Sequence, residues 1–370
     1  MRIAVTGSRG FIGANMVVRL RERPGTDILE IHRGVPFPSL DGIDAVVHLA
    51  GVNRPPDPSG FMEGNGAQTA RLADELRRTG RPVPVILSSS TQAGLDNPYG
   101  ASKRAAEEAL RRYAIDSGAD VRIYRLTNVF GKWARPNYNS AVATFCHNTV
   151  HGIPITVHDP AAPLRLVYVD DVCDTFLADL DDFAAGRRSA AEFREAGPTY
   201  QTTVGEVACM IDGFKRSRSE AAVDRVGAGL CRALYATYLS HVPPAEFAYR
   251  PVRHVDPRGE FAEIVRSVDS GQVSYFTAHP GVTRGGHYHH TKNEKFLVLR
   301  GRARFRFRDM RSGATHELEV SGADPTVVET VPGWAHDITN VGDDELLVML
   351  WANEAFDRER PDTIAARLGP

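Results

Sequence analysis

Three glycines, Gly7, Gly10 and Gly13, stand between an apolar run, Ile3-Ala4-Val5, and a segment whose apolar residues fall at Ile12, Met16, Val17 and Leu20. The first pattern reads as a buried strand and the second as a helix from Phe11 to Arg23. Gly7 permits the tight turn, Gly10 lets the backbone approach a pyrophosphate, and Gly13 lets helix and strand pack closely. The helix N-terminus then faces the phosphates, where its partial positive charge stabilises them. A chain that starts this way is committed to a parallel sheet with helices on its faces.

The alternation continues through strands over Ile28–Ile31, Asp44–Gly51 and Val83–Ser88, as a doubly wound α/β sheet requires. An Asp or Glu about 20 residues beyond the glycines normally binds the ribose hydroxyls of NAD. His32-Arg33 stands there instead. Arg33 suits a 2′-phosphate, so NADPH is the expected cofactor. After the fourth strand come Ser88, Ser89, Ser90 and Thr91, and Tyr99-Gly100-Ala101-Ser102-Lys103 opens a helix reaching about Ser117. Tyr99 and Lys103 are four apart and share a helix face. The neighbouring ammonium is expected to lower the phenol's pKa from its usual ~10 towards neutrality.

The ordered motifs TGSRGFIG, HLAG, LSSS, YGASK, RLTNVFG and YVDDV resemble the extended short-chain dehydrogenase/reductase family, a Rossmann fold, over residues 1–243. The resemblance implies cofactor contacts from Gly7, Gly10, Phe11, Ile12, Gly13, Arg33, Leu49, Ala50, Gly51, Tyr99 and Lys103. It implies Tyr99 as acid/base, Lys103 as the residue that tunes it, and Ser90, with Ser89 as the alternative, as the hydroxyl holding the substrate oxygen. The gap from Ser90 to Tyr99 is shorter than is usual in that family. Thr91-Gln92 occupy the places where sugar 4,6-dehydratases carry Asp-Glu; neither does general acid/base work at neutral pH, which disfavours dehydration. Asn128 and Arg165 match positions that contact a sugar nucleotide. Asn139 and His147, in or after the polar loop at 131–139, are further candidates, and a capping role explains Asn139 equally well.

At Pro243-Pro244 helical periodicity gives way to short alternating segments such as Gln272–Ala278, Ala303–Arg308 and Leu346–Trp351, the pattern of an all-β sandwich or barrel. The expected domains are therefore 1–243 and 244–370. His287 and His289 alternate on a strand, Glu294 opens the next, and His336 follows Pro332-Gly333. Three imidazoles and one carboxylate make a complete site for a first-row metal. This set resembles the cupin family, a jelly roll. Zinc is the expected ion, although the same ligands serve iron, manganese or nickel. His254, Asp256, Arg258 and Glu263 resemble the first strand of sugar 3,5-epimerase cupins, where an Arg such as Arg258 holds nucleotide phosphate.

With 24% charged residues and a net charge of -2, the chain has no basic field for nucleic acid or an anionic membrane. Four cysteines without a C-x-x-C pair read as buried apolar residues in a reducing compartment. With no signal-peptide or membrane-spanning run, a cytoplasmic protein is expected. HLAGVNRP, GKW-x-x-PNYNS and TRG-x-HYHHTK-x-EKFLV resemble the CapF-type family of bifunctional capsular-polysaccharide enzymes, the UDP-2-acetamido-2,6-dideoxy-L-talose synthases. That resemblance implies a homodimer whose metal cupin epimerises C3 of a UDP-2-acetamido-2,6-dideoxy-hexos-4-ulose before the reductase reduces C4 with NADPH. The alternative is a plain 4-keto reductase with a structural or sugar-sensing cupin.

Overall fold

The computed structural model describes residues 1–32, 37–189, 191, 193–251, 253–256, 259–262, 265–267, 271–354 and 359–368. The chain forms two compact units, Met1–Phe130 with Leu164–Gln201 and Gly131–Pro163 with Thr202–Pro370.

In the first unit β1 (Arg2–Thr6), β2 (Asp27–Ile31), β3 (Ala45–His48), β4 (Val85–Ser90), β5 (Val121–Leu126) and the short strand Phe193–Arg194 form a parallel sheet. Their order is β2-β1-β3-β4-β5 followed by Phe193–Arg194. Successive side chains on a strand point to opposite faces, so each strand feeds two apolar layers. Ile3, Val5, Ala45, Val47, Ile86 and Tyr124 pack with Met16, Val17 and Leu20 of helix Phe11–Arg21 and with Phe176 and Leu180 of helix Val169–Ala184. Ala4, Val46, Val85, Leu87 and Ile123 turn the other way, onto Leu72 and Leu76 of helix Gln68–Arg78 and Leu110 and Tyr113 of helix Pro98–Ser117. This is the expected doubly wound sheet.

Two strand ends differ from the periodicity. β3 ends at His48: the Leu49 amide is shared between the Thr6 carbonyl and hydroxyl, and the Ala50 amide turns to that hydroxyl, 3.2 Å in each case. β4 runs on through Ser90, since Ser89 and Ser90 pair with Arg125 and Leu126 of β5. Helix Pro98–Ser117 has a clear start and stop. Asn97 accepts a hydrogen bond from the Gly100 amide at 2.7 Å, Pro98 takes the first turn, and Gly118 ends the helix at φ 73°, as capping rules require.

The second unit holds two five-stranded antiparallel sheets, the jelly roll of a cupin. One runs Ala248–Tyr249, Val327–Glu329, Glu294–Arg300, Leu346–Ala352, Gln272–Ala278. The other runs Thr315–Ser321, Arg302–Asp309, Trp334–Asn340, Thr283–Tyr288, Ile364–Ala365. Strand Arg302–Asp309 shows why a sandwich forms: Ala303, Phe305 and Phe307 are buried while Arg302, Arg304 and Arg306 alternate outward. Helices Ala141–Val150, Val204–Phe214 and Gly229–Leu239 belong to this unit too. The compact units therefore do not follow a single break at residue 243. Cys146 and Cys173 are buried as expected, but Cys209 is exposed and Cys231 half-buried. No helix among the described residues is long and apolar enough to cross a membrane.

Candidate active site and metal centre

Around the glycine turn lies a cavity of about 720 Å³ lined by Gly7, Gly10, Leu49, Ala50 and Gly51 together with Arg9, His32, Gln68 and Arg71. Gly7 has φ 68°, and a Cβ there would come within 2.8 Å of the backbone at Leu49 and Ala50. Only glycine meets both demands. Gly13 does not line the cavity; a Cβ on it would sit 2.0 Å from the Gly7 carbonyl oxygen. Its role is to let the helix close against the turn. Phe11 and Ile12, in the first helical turn, are half-buried and also outside the lining. Arg33 lies outside the described residues.

Below the cavity, His48 is gripped from both sides, with Nδ1 2.6 Å from the Thr6 hydroxyl and Nε2 2.8 Å from that of Thr69. Burial, aided by the Lys103 charge, lowers its pKa to about 3, so the ring is neutral. Lys103 is buried and donates to the Ser88 carbonyl at 3.2 Å. Burial pulls its ammonium down to about 8, against the opposing charge of Glu107. A Cβ on Gly51, which lines the cavity, would be 3.4 Å from Lys103 Nζ. The ammonium therefore stands directly behind the cavity wall.

Tyr99 lies on the same helix face, its ring centroid 5.8 Å from Lys103 Nζ, and its hydroxyl donates to Asn53 Oδ1 at 3.2 Å. The expected lowering of its pKa does not occur. Burial raises the phenol's pKa, and a hydrogen bond with Ser90 only partly opposes the rise. The two serines separate clearly. Ser89 is buried and donates to Glu107 Oε1 at 2.5 Å, away from Tyr99. Ser90 is the half-buried one that faces Tyr99; its hydroxyl also accepts from the Gln92 amide at 3.2 Å.

Several participants escaped the sequence reading. Asn65, on a π-helical turn at Met62–Ala67, accepts from the Val52 amide at 2.8 Å and donates to the Ser102 hydroxyl at 2.9 Å. It ties the Gly51-Val52 wall to helix Pro98–Ser117, which carries Tyr99 and Lys103, and π turns often mark functional places. Glu107 is bound by Arg125 at 3.0 and 2.7 Å and by Ser89. Its signal was present, four residues past Lys103. Asn128 donates to the backbone carbonyl of Arg165 at 3.1 Å, so those two candidates meet. The Arg165 guanidinium itself pairs with Glu195 at 2.7 Å. In the second unit Asn139 is exposed, and Ser140 rather than Asn139 caps helix Ala141–Val150. His147 stacks near His151, with centroids 4.1 Å apart. Arg258 lies outside the described residues.

The four proposed ligands converge inside the jelly roll. Donor atoms of His287, His289, Glu294 and His336 all lie within 4.8 Å of one another. His287 and His336 are direct partners on adjacent strands, after a bulge at Gly285. His289 sits just beyond the end of its strand rather than on it, and Glu294 opens the facing strand from the other sheet. Burial lowers the His287 pKa to about 3, and the neighbouring imidazoles add to the fall. Burial works against a charged Glu294 carboxylate, but the imidazoles of His289 and His336 hold its pKa well below the usual range.

These residues fit a cation. His289 Nδ1 lies against the Asp362 carbonyl, which can only accept. A neutral ring then carries its lone pair on Nε2, 3.2 Å from another acceptor, Glu294 Oε2. Two acceptors at that distance require a positive centre between them or a second ring proton. His336 Nε2 is buried without a hydrogen bond, 3.4 Å from the same carboxylate oxygen. Lys292, one of several residues of this turn that the sequence offers as a partner of the site or a surface group, reaches the other oxygen at 3.0 Å. A cavity of about 190 Å³ opens onto His287, Glu294 and His336, with Phe276, Arg284 and Asp337 in its wall.

Residues 3–191 match the NAD dependent epimerase/dehydratase family, and residues 254–364 match the Polysaccharide biosynthesis C-terminal domain. Over 373 aligned residues, all of this chain and 99% of the other, the protein is 51% identical to UDP-2-acetamido-2,6-beta-L-arabino-hexul-4-ose reductase of Pseudomonas aeruginosa. The crystal structure of the capsular polysaccharide assembling protein CapF from Staphylococcus aureus superposes with a TM-score of 0.66 at 39% identity, covering 99% of this chain and all of that one. UDP-glucuronic acid 4-epimerase from Bacillus cereus, at 18% identity and a TM-score of 0.51 over 58% of this chain and 84% of that one, shares the fold. With one family covering half the sequence and a full-length relative at this identity, the chain belongs to the NAD dependent epimerase/dehydratase family and carries a Polysaccharide biosynthesis C-terminal domain.

Proposed function

We propose that the protein is a bifunctional UDP-sugar enzyme. Its jelly-roll site epimerises C3 of a UDP-2-acetamido-2,6-dideoxy-hexos-4-ulose, and its Rossmann site then reduces the C4 ketone with NADPH. The product is a UDP-N-acetyl-6-deoxy-L-talosamine-type sugar. The observation that carries the reductase half is Lys103 Nζ against the Gly51 wall of the glycine-turn cavity, with Tyr99 and Ser90 beside it.

A bound nicotinamide supplies hydride at C4. The protein's part is to hold the carbonyl and deliver a proton. The Ser90 hydroxyl fixes the C4 oxygen, Tyr99 gives it the phenolic proton as charge develops, and Lys103 stabilises the phenolate left behind. A phenol whose pKa is raised by burial is fully protonated at neutral pH, the state that ketone reduction needs from a donor. The family description names NAD. The preference for NADPH is supported by Arg9 and Arg71, which line the cavity together with His32 at the end of β2.

His287, His289, Glu294 and His336 would hold one divalent ion, for which zinc is our choice among the first-row metals these donors serve. When bound, such an ion supplies positive charge beside an oxygen that becomes negative as the C3 proton leaves. The side chains fix its place, and Phe276, Phe296 and Ile338 give the cavity an apolar wall beside it. A homodimer is the expected assembly, on the family resemblance.

Tyr99→Phe is expected to cut NADPH oxidation roughly 10²–10⁴-fold, the usual worth of a positioned general acid, while C3 exchange continues. Stopped-flow absorbance and NMR exchange on the same preparation check it. Undiminished NADPH oxidation in the variant would overturn the reductase assignment.

A further inference from the structure

We infer that the segment 359–365 is a clasp that keeps the metal loop closed, with Asp362 as its positioning residue. The inference rests on the metal reading above.

Among the described residues the loop from His289 to Lys292 is paired with no strand, yet it carries one proposed ligand and leads into another, Glu294. One side chain organises it. Asp362 Oδ1 accepts from the His290 amide at 2.9 Å. Its Oδ2 accepts from the Thr291 and Lys292 amides, each at 2.7 Å, and from the Thr291 hydroxyl at 3.0 Å. Three consecutive amides thus converge on one carboxylate some 70 residues away in sequence. The Asp362 backbone carbonyl accepts a hydrogen bond from His289 Nδ1–H. It thereby dictates which ring nitrogen is left to bind an ion, the usual service of a hydrogen-bonding neighbour to a metal-binding imidazole.

Two residues on, strand Ile364–Ala365 pairs with His287 and Tyr288, so the same segment also braces a second ligand. Arg232 of helix Gly229–Leu239 closes the cluster, binding the Thr291 hydroxyl and lying 3.3 Å from Glu354 and 3.9 Å from Asp362. Asp362 itself is outside the ligand set. It acts by shaping the loop, so removing its charge loosens metal retention while the four ligands remain.

The test loads the intact protein with Zn²⁺, removes the excess, counts zinc per chain, and follows its transfer to a chromogenic chelator. Asp362→Asn is expected to release zinc roughly 10–100-fold faster, the range seen when such supporting groups are lost. Asp362→Glu keeps the charge but not the fit and should fall between. Asp343→Asn, in an exposed turn, should match the parent. Thermal unfolding and circular dichroism report that each variant has folded. Parental release from Asp362→Asn, or from Asp362→Glu if the first variant does not fold, would overturn the clasp and leave the centre standing. A parent that takes up no zinc would overturn the centre and the clasp with it.

Discussion

At Lys103 burial and charge pull in opposite directions, and on the proposed mechanism their balance sets the pH response of ketone reduction. Desolvation lowers the ammonium to about 8, and the Glu107 carboxylate one turn along resists that fall. Below about 8 the residue is charged and can stabilise a phenolate; above it the charge is lost. Tyr99 lies higher than an ordinary phenol, so it stays protonated across this range. His48, at about 3, is neutral throughout and adds no acid limb near neutrality. The kcat/KM for ketone reduction should therefore fall as pH rises through about 8. Glu107→Gln removes the charge that holds Lys103 up, so its falling limb should move to lower pH. A pH–rate profile of both proteins measures this. An unmoved limb in Glu107→Gln would show that another group titrates.

Among the elements, the glycine turn is the least forgiving. At Gly13 a methyl group would stand 2.0 Å from the Gly7 carbonyl, a backbone atom that cannot step aside alone. Gly13→Ala should therefore open the turn, weaken NADPH binding by at least tenfold and lower the melting temperature. Calorimetric titration and thermal unfolding read both; parental values would mean that helix Phe11–Arg21 can shift without cost. The turn was legible in the sequence because strand, glycines and helix are contiguous. So were the buried parallel strands, since an unbroken apolar run such as Ile3, Ala4, Val5 feeds two apolar layers. The grouping of His287, His289 and Glu294 was legible because they are neighbours in sequence. What could not be read depends on long-range closure. The clasp of Asp362 on the His290–Lys292 amides has no local pattern, nor does Asn65 bridging Val52 to Ser102. The Tyr99 shift was misjudged because spacing reveals a charged neighbour but not the burial that outweighs it.

For the molecule as a whole, the proposed pairing of two catalysts in one chain follows from the chemistry of a single carbonyl. A ketone at C4 makes the C3 proton acidic, and reducing that ketone ends the acidity. Epimerisation must therefore precede hydride transfer. The two functions should also be separable. His336→Ala, or chelation of the metal, is expected to abolish C3 exchange while NADPH oxidation with a 4-keto sugar persists. Metal analysis beside both assays checks this, and full metal occupancy in His336→Ala would contradict the ligand set. The most direct measurement is proton NMR of a UDP-2-acetamido-2,6-dideoxy-hexos-4-ulose with the protein in D₂O, NADPH withheld. Loss of the H3 signal is predicted, with NADPH then giving a single reduced sugar. An H3 signal that persists, followed by NADPH oxidation once the cofactor is added, would contradict the bifunctional assignment and leave a 4-keto reductase alone.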